Sequence, residues 1–283
     1  MKKLLAVLSI TGCFLLLLQS AHAQNNNTPR DGVYDKVHIG QREPVPYPSL
    51  READVMWSKR IWRVIDMRQK MNLPMFYPIE EMAGRKSLMQ IIYGAVKEGS
   101  IHAYDAGNEE FLTLLAPDVL LKSLDKQDTM KLTRAEPPYD EYDSVISNPF
   151  RASDVYLIRV KEDWFFDKQR SVMDVRILGL CPILEDYDVV TGEFRGYKPL
   201  FWVYFPECRQ IFAKNDVFNK WNDAERRSYD DIFMKRMFGS YIYKESNVYD
   251  RRVIQYAKGM DGLLEADRIK GELFRMEHDL WEY

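Results

Sequence analysis

PYPSLREADVMWSKRIWRVIDMRQKMNLP, residues 46–74, is the stretch on which the reading of the fold turns. Ser49 and Glu52 stand in the Ser-x-x-Glu spacing of a capping box, in which each side chain satisfies an amide left open at a helix start. That spacing predicts a helix from Ser49 to about Met71, ended by Asn72 and Pro74. At about 100° per residue, Leu50, Ala53, Trp57, Ile61, Val64 and Met71 form one apolar stripe facing a core. Val55 and Trp62 then fall on the far side, among Lys59, Arg63, Asp66 and Lys70. Two readings stand side by side. A helix that is apolar most of the way round is usually buried between two layers. Charges around Trp62 are costly to bury unpaired, however, and a tryptophan beside an arginine is the usual anchor of a protein interface. The second reading makes Val55, Lys59, Trp62 and Arg63 a partner-binding face.

Upstream, residues 1–23 read as a signal peptide: Lys2 and Lys3, then the apolar run Leu4 to Leu18, then Ala21-His22-Ala23, with cleavage between Ala23 and Gln24. The run is too short to cross a bilayer as a permanent helix, so no membrane span is expected. Ile10-Thr11-Gly12-Cys13 also resembles a lipoprotein signal, but a polar tether should follow such a cysteine and Phe14 to Leu18 is apolar. Residues 24–48 form an extended arm. Its alternating Pro44, Pro46 and Pro48 favour open polyproline-like chain, which should be mobile unless a partner orders it.

Downstream, Leu88, Ile91, Ile92 and Val96 mark a helix over Ser87–Lys97. Residues 117–150, with Pro137-Pro138 and Pro149, read as a connecting region where an internal boundary would fall; otherwise residues 49–283 make one globular domain. From Asp154 the period becomes two. A hairpin is predicted with Val160 opposite Ile177 and Trp164 opposite Met173. PLFWVYFPECRQIF, residues 199–212, is taken as a third strand, apolar on both faces at its centre. Ser228 should cap a helix through about Phe238, YIYKE at 241–245 should add a short strand, and Leu263 to Trp281 a closing helix. The fold class is therefore α+β: an antiparallel sheet of three or more strands flanked by helices, with an extended N-terminal arm.

Composition excludes several functions. With 40 basic and 43 acidic residues the net charge is −3, and the charges are spread evenly, which offers no nucleic-acid or anionic-lipid surface. His38, His102 and His278 are far apart and lack metal-ligand spacing, so neither metal nor cofactor is expected. No Gly-x-Ser-x-Gly elbow or dinucleotide glycine motif occurs, and no catalytic residue is assigned. Glu80-Glu81, Glu109-Glu110 and Asp230-Asp231 are paired carboxylates of an ordinary solvated kind. Glycoside hydrolysis would need two carboxylates facing each other across a cleft, which leaves a periplasmic hydrolase as one alternative and a monomeric substrate-binding module as another. Cys181 and Cys208 either form a disulfide, as an exported pair can, or stay as two buried thiols.

DGVYDK at Asp31–Lys36, the arm EPVPYP, LREADVMWSKRIWRVIDMRQKMN and EHDLWEY near the C-terminus together resemble the gliding-motility family GldN, called PorN in non-gliding relatives. The resemblance implies a non-enzymatic periplasmic component of the type IX secretion system of the Bacteroidota. Its implied partners are the outer-membrane lipoprotein GldK or PorK, the periplasmic part of GldM or PorM, and further copies of itself within a ring. Association with the outer membrane would then run through the lipoprotein. Asp128-Thr129-Met130 and Asp143-Ser144-Val145 fit the short O-glycosylation pattern of that phylum.

Overall fold

A computed structural model describes residues 38–82, 84–133, 141–187 and 192–280, with Val33 alone before them and only the backbone over 126–133 and 141–148. The proposed signal peptide, its cleavage site and the start of the arm lie outside the described residues. The chain divides into residues 1–37 and a compact unit of residues 38–283.

The opening stretch is not a helix. After a single 3-10 turn at Glu52–Asp54, residues Val55–Asp66 form strand β1. The remaining strands among the described residues are β2 (Ala103–Tyr104), β3 (Leu114–Leu115), β4 (Lys126–Thr133), β5 (Glu141–Asn148), β6 (Leu157–Asp167), β7 (Val172–Tyr187), β8 (Phe194–Pro199), β9 (Trp202–Tyr204), β10 (Asp216–Val217), β11 (Arg227–Ser228) and β12 (Tyr241–Glu245). The α-helices are α1 (Leu73–Phe76), α2 (Leu88–Lys97), α3 (Pro117–Leu124), α4 (Phe205–Lys214), α5 (Tyr229–Met234), α6 (Val253–Tyr256) and α7 (Met260–Asp279). Eight strands make one antiparallel sheet in the order β12-β1-β6-β7-β9-β2-β3, with β8 also on β7. The α+β expectation holds.

The physical reason for the error in the first element lies in its second half. Ile61 to Ile65 is buried without a break, and a segment covered on both faces loses the period that separates strand from helix. Its β-branched and aromatic content, Val55, Trp57, Ile61, Trp62, Val64 and Ile65, favours the pleated surface. Five residues apart, Trp57 and Trp62 must point to opposite faces of a strand. Trp57 packs with Ile61, Ile242, Ile269 and Leu273 under α7, and Trp62 packs with Cys181 and Trp202 on the other side.

The β6–β7 hairpin forms, but Trp164 stands opposite Val175 and Val160 opposite Leu180. Two features shift the register. The turn is two residues longer than that register requires, with Asp167 opposite Val172 rather than Arg170 and Ser171 in the left-handed region, and a bulge follows between Lys161 and Glu162. The expected third strand is shorter still, because the chain becomes helical at Phe205. Pro206 occupies the first turn of α4, where a missing N–H costs nothing. Phe205, Cys208, Arg209, Phe212 and Ala213 are its buried residues, a spacing that only a helix explains.

Two later helix starts are capped, the one at Ser228 as expected. Ser87 and Gln90 close a capping box on α2, and Ser228 and Asp231 close one on α5. Helix α5 ends at Met234 rather than Phe238, with Arg236 in the left-handed region. The 117–150 connector contains α3 and the separate β4–β5 hairpin, whose register sets Thr129 opposite Val145 and Met130 opposite Ser144. The main core lies between the sheet and α2, α4 and α5. A smaller one lies between β1, β12 and α7.

Candidate functional site

The four residues read as a partner face do not all lie on one side of the sheet. Strand geometry sends Lys59 and Arg63 to one side of the sheet and Trp62 to the other. Trp62 is 6 % exposed. The Lys244 ammonium lies over its ring at 4.3 Å, held there by ion pairs to Glu109 at 3.3 Å and Asp250 at 2.7 Å. Tyr104, Phe111 and Tyr243 complete its cover. Phe111 in turn rests on Gly179, where any β-carbon would stand 2.5 Å from the ring. Lys161, also buried, donates to the Glu109 carbonyl and lies 5.2 Å from the Phe111 ring. Trp62 is thus enclosed by its own chain. Of the charges that weighed against its burial, Lys59, Arg63 and Asp66 are paired and Lys70 is exposed, which removes the penalty. Lys59 pairs with Glu245 at 2.6 Å, and Val55 is half-buried opposite Asp167.

Arg63 belongs to a second polar cluster. Its Nε donates to Glu162, a fully buried carboxylate on the neighbouring strand. Arg236 donates to both oxygens of Glu162, at 2.8 and 3.2 Å, and the Trp164 indole N–H adds a fourth bond at 3.0 Å. Burial pulls the Arg63 guanidinium below its ordinary range, opposed by Glu162. The arrangement answers to the rule that buried charges are paired and hydrogen-bonded.

The proline arm is not loose over its described part. Tyr47 lies between the guanidinium groups of Arg209, at 4.3 Å, and Arg176, at 5.0 Å. Arg209 also donates to the Val45 carbonyl at 2.6 Å while holding Asp230 through two bonds of 2.9 and 3.1 Å. Arg176 reaches the Pro48 carbonyl, and Arg42 pairs with Asp231 at 2.9 Å. Backbone carbonyls of a polyproline-like segment have no ladder partners, and here arginines from β7 and α4 supply them.

Cys181 and Cys208 are separate, buried free thiols, on β7 and on α4. Burial pushes the Cys181 thiol up to about 12 and Cys208 upward as well, so neither has thiolate character. Their hydrogens point to the Pro182 and Tyr204 carbonyls.

The paired carboxylates are divided in their roles. Asp230 holds Arg209, Asp231 caps α5, and Glu109 holds Lys244. Asp154 and Glu185 line one shallow pocket of about 450 Å³. The Glu185 oxygens are taken by Arg68 at 3.0 Å and by the Tyr187 hydroxyl at 2.8 Å. Among the described residues no group of three or more His, Cys, Asp or Glu could hold a metal ion, and no helix is long and apolar enough to cross a membrane.

Exposed apolar surface is the feature the sequence reading missed. A groove of about 700 Å³ is lined by Leu73, Pro74, Tyr77, Pro78, Ile79 and Met82 from one side and Phe218 from the other. Tyr77, Ile79, Met82 and Phe218 are all exposed, and Trp221 nearby in sequence is 83 % exposed. A second surface lies on α7, where Met260, Leu263, Leu264 and Phe274 stay in solvent while Ala266, Ile269 and Leu273 are buried. The signal was present in the sequence as YPIEEM between two helices and as apolar residues on two sides of the closing helix.

A family model described as gliding motility associated protein GldN matches residues 50–282. No curated protein matches the chain.

Proposed function

Since this chain belongs to the GldN family of gliding-motility and type IX secretion components, we propose that it acts there as a non-enzymatic structural part of a periplasmic ring. It binds the outer-membrane lipoprotein GldK or PorK, meets the periplasmic part of GldM or PorM, and is tied to the outer membrane through the lipoprotein. The observation that carries this reading is the family match over nearly all of the folded unit.

The exposed apolar surfaces support contact as the mode of action. Large contiguous apolar patches on a folded domain mark interaction sites, and a ring needs two different faces on each subunit so that head-to-tail contacts can close. The groove lined by Tyr77, Ile79, Met82 and Phe218 and the outer side of α7 are two such faces. Trp62 plays no part, because it is covered by its own chain, and Arg63 gives its Nε to Glu162.

The test is copurification from native envelopes with a tagged chain carrying Ile79→Asp or Leu264→Asp. Both positions are exposed, so each variant should remain folded. The account expects the parent to bring down the lipoprotein in a large particle and at least one variant to lose it. A parent that elutes alone as a monomer while the lipoprotein is intact would contradict the proposal.

A further inference from the structure

The Glu162 cluster carries more positive charge than it consumes. A pocket of about 350 Å³ opens onto it, lined by Arg63, Trp164, Arg236, Phe238, Lys270 and Phe274. Two guanidinium groups share the single Glu162 carboxylate, whose oxygens already accept four donors. Among the described residues the side-chain hydrogen bond of Arg63 is the one from Nε to Glu162, and the residue itself stands in the pocket wall. An arginine with 6 % exposure at a pocket wall is prepared for an acceptor from outside. Lys270 adds a further charge at the rim. Glu277, exposed on the same rim, makes no ion pair with any of the three cations.

The walls define the rest of the ligand. Trp164 lies under both guanidinium groups, 5.6 Å from Arg63 and 5.2 Å from Arg236, so its face is occupied. Phe238 lies 5.4 Å from Arg236, and Phe274 is 67 % exposed at the opening. An anion here would find its charge met inside and an apolar surface at the mouth. A planar carboxylate matches the arginine fork, and an aromatic or aliphatic group next to it matches Phe274.

We propose that this pocket is a binding site for a carboxylate carried next to an apolar group. A free small acid and an acidic residue of a polypeptide share that chemistry, and the test separates them. The probes are 3-phenylpropionate, its neutral amide, and the blocked dipeptide acetyl-Phe-Asp-amide, titrated calorimetrically into the chain beginning at Gln24. The acid or the dipeptide should bind, and the neutral amide should bind at least about tenfold more weakly, the factor that one lost charge-assisted bond gives. A dipeptide that binds more tightly than the small acid assigns the site to a polypeptide, and the reverse order assigns it to a free acid; either supports the proposal. Lys270→Gln, on the exposed side of α7 and neutral to folding, should weaken the bound probe several-fold. Arg236→Gln should weaken it more. Equal binding of acid and amide, no binding of either carboxylate at millimolar concentration, or affinity unchanged in both variants would overturn it.

Discussion

Replacing Trp62 by alanine separates burial by the chain itself from burial by a neighbour. A tryptophan removes roughly 200 Å² from water, and at about 25 cal/mol per Å² that is worth about 5 kcal/mol as an upper value. Measured aromatic-to-alanine losses in cores run at about 3–5 kcal/mol. Lys244, 4.3 Å above the ring, would lose an attraction of about 1 kcal/mol. Trp62→Ala should therefore cost about 4 kcal/mol in the isolated chain, lowering the melting temperature by about 10 °C for a protein of this size. Trp62→Phe should cost under about 1.5 kcal/mol, since it keeps most of the packing and removes an indole N–H that has no hydrogen-bond partner. Urea denaturation followed by circular dichroism gives both values. A loss below about 1 kcal/mol for Trp62→Ala, the result for an exposed interface anchor, would refute the enclosure described above.

Tyr47→Ala should free the arm without unfolding the body, because it removes two cation–aromatic contacts worth about 1–2 kcal/mol; limited proteolysis should then cut between residues 42 and 50 several times faster than in the parent. Both cysteines should be inert to a thiol reagent in the native protein and fully reactive once it is unfolded without reductant; a pair still silent after unfolding would mean a disulfide. Acid should destabilise the fold through Asp231 and Asp66. Burial opposes the Asp231 carboxylate, but the Ser228 amide and hydroxyl, Lys235 and Arg42 outweigh it and hold its pKa below the usual value. Burial likewise opposes Asp66, outweighed by Arg68. Groups depressed in this way stabilise the fold above the unfolded value of about 3.9 and lose that contribution as pH falls through the lower folded value. Stability should thus be flat near neutrality and fall below about pH 4, and Asp231→Asn should flatten that fall; an unaltered acid limb would contradict the assignment.

How far the sequence carries the fold depends on whether each element leaves one face in water. Helix α2, the cap at Ser228, the short strand Tyr241–Glu245 and the closing helix were legible because polar and apolar residues alternate there at a clear period. Strand β1 was not, since its second half is covered on both sides and its buried charges find partners about 100 positions away in sequence, as Arg63 does in Glu162. Lys161, Lys244 and Arg63 look like solvent residues until long-range pairing is known. The helix at Phe205 was legible in principle: its buried positions repeat at helical spacing, and Pro206 marks its first turn. The continuous apolar run before it concealed the change of period. Of the candidate site, Arg63 lines a cavity. The exposed groove from Tyr77 to Phe218 joins segments about 140 residues apart, a juxtaposition no local pattern announces.

Site-specific photo-cross-linking in native envelopes tests the structural role most directly. A photoreactive residue at Met82 or Phe274, on the two exposed apolar surfaces, should yield adducts with a neighbouring copy of the chain or with the lipoprotein. The same residue at Lys97, exposed at the end of α2, is the reference for chance contact. Adducts at Met82 or Phe274 well above that reference are the predicted result. No adduct above it at either position, with the protein intact and correctly exported, would contradict a chain that works by joining a ring.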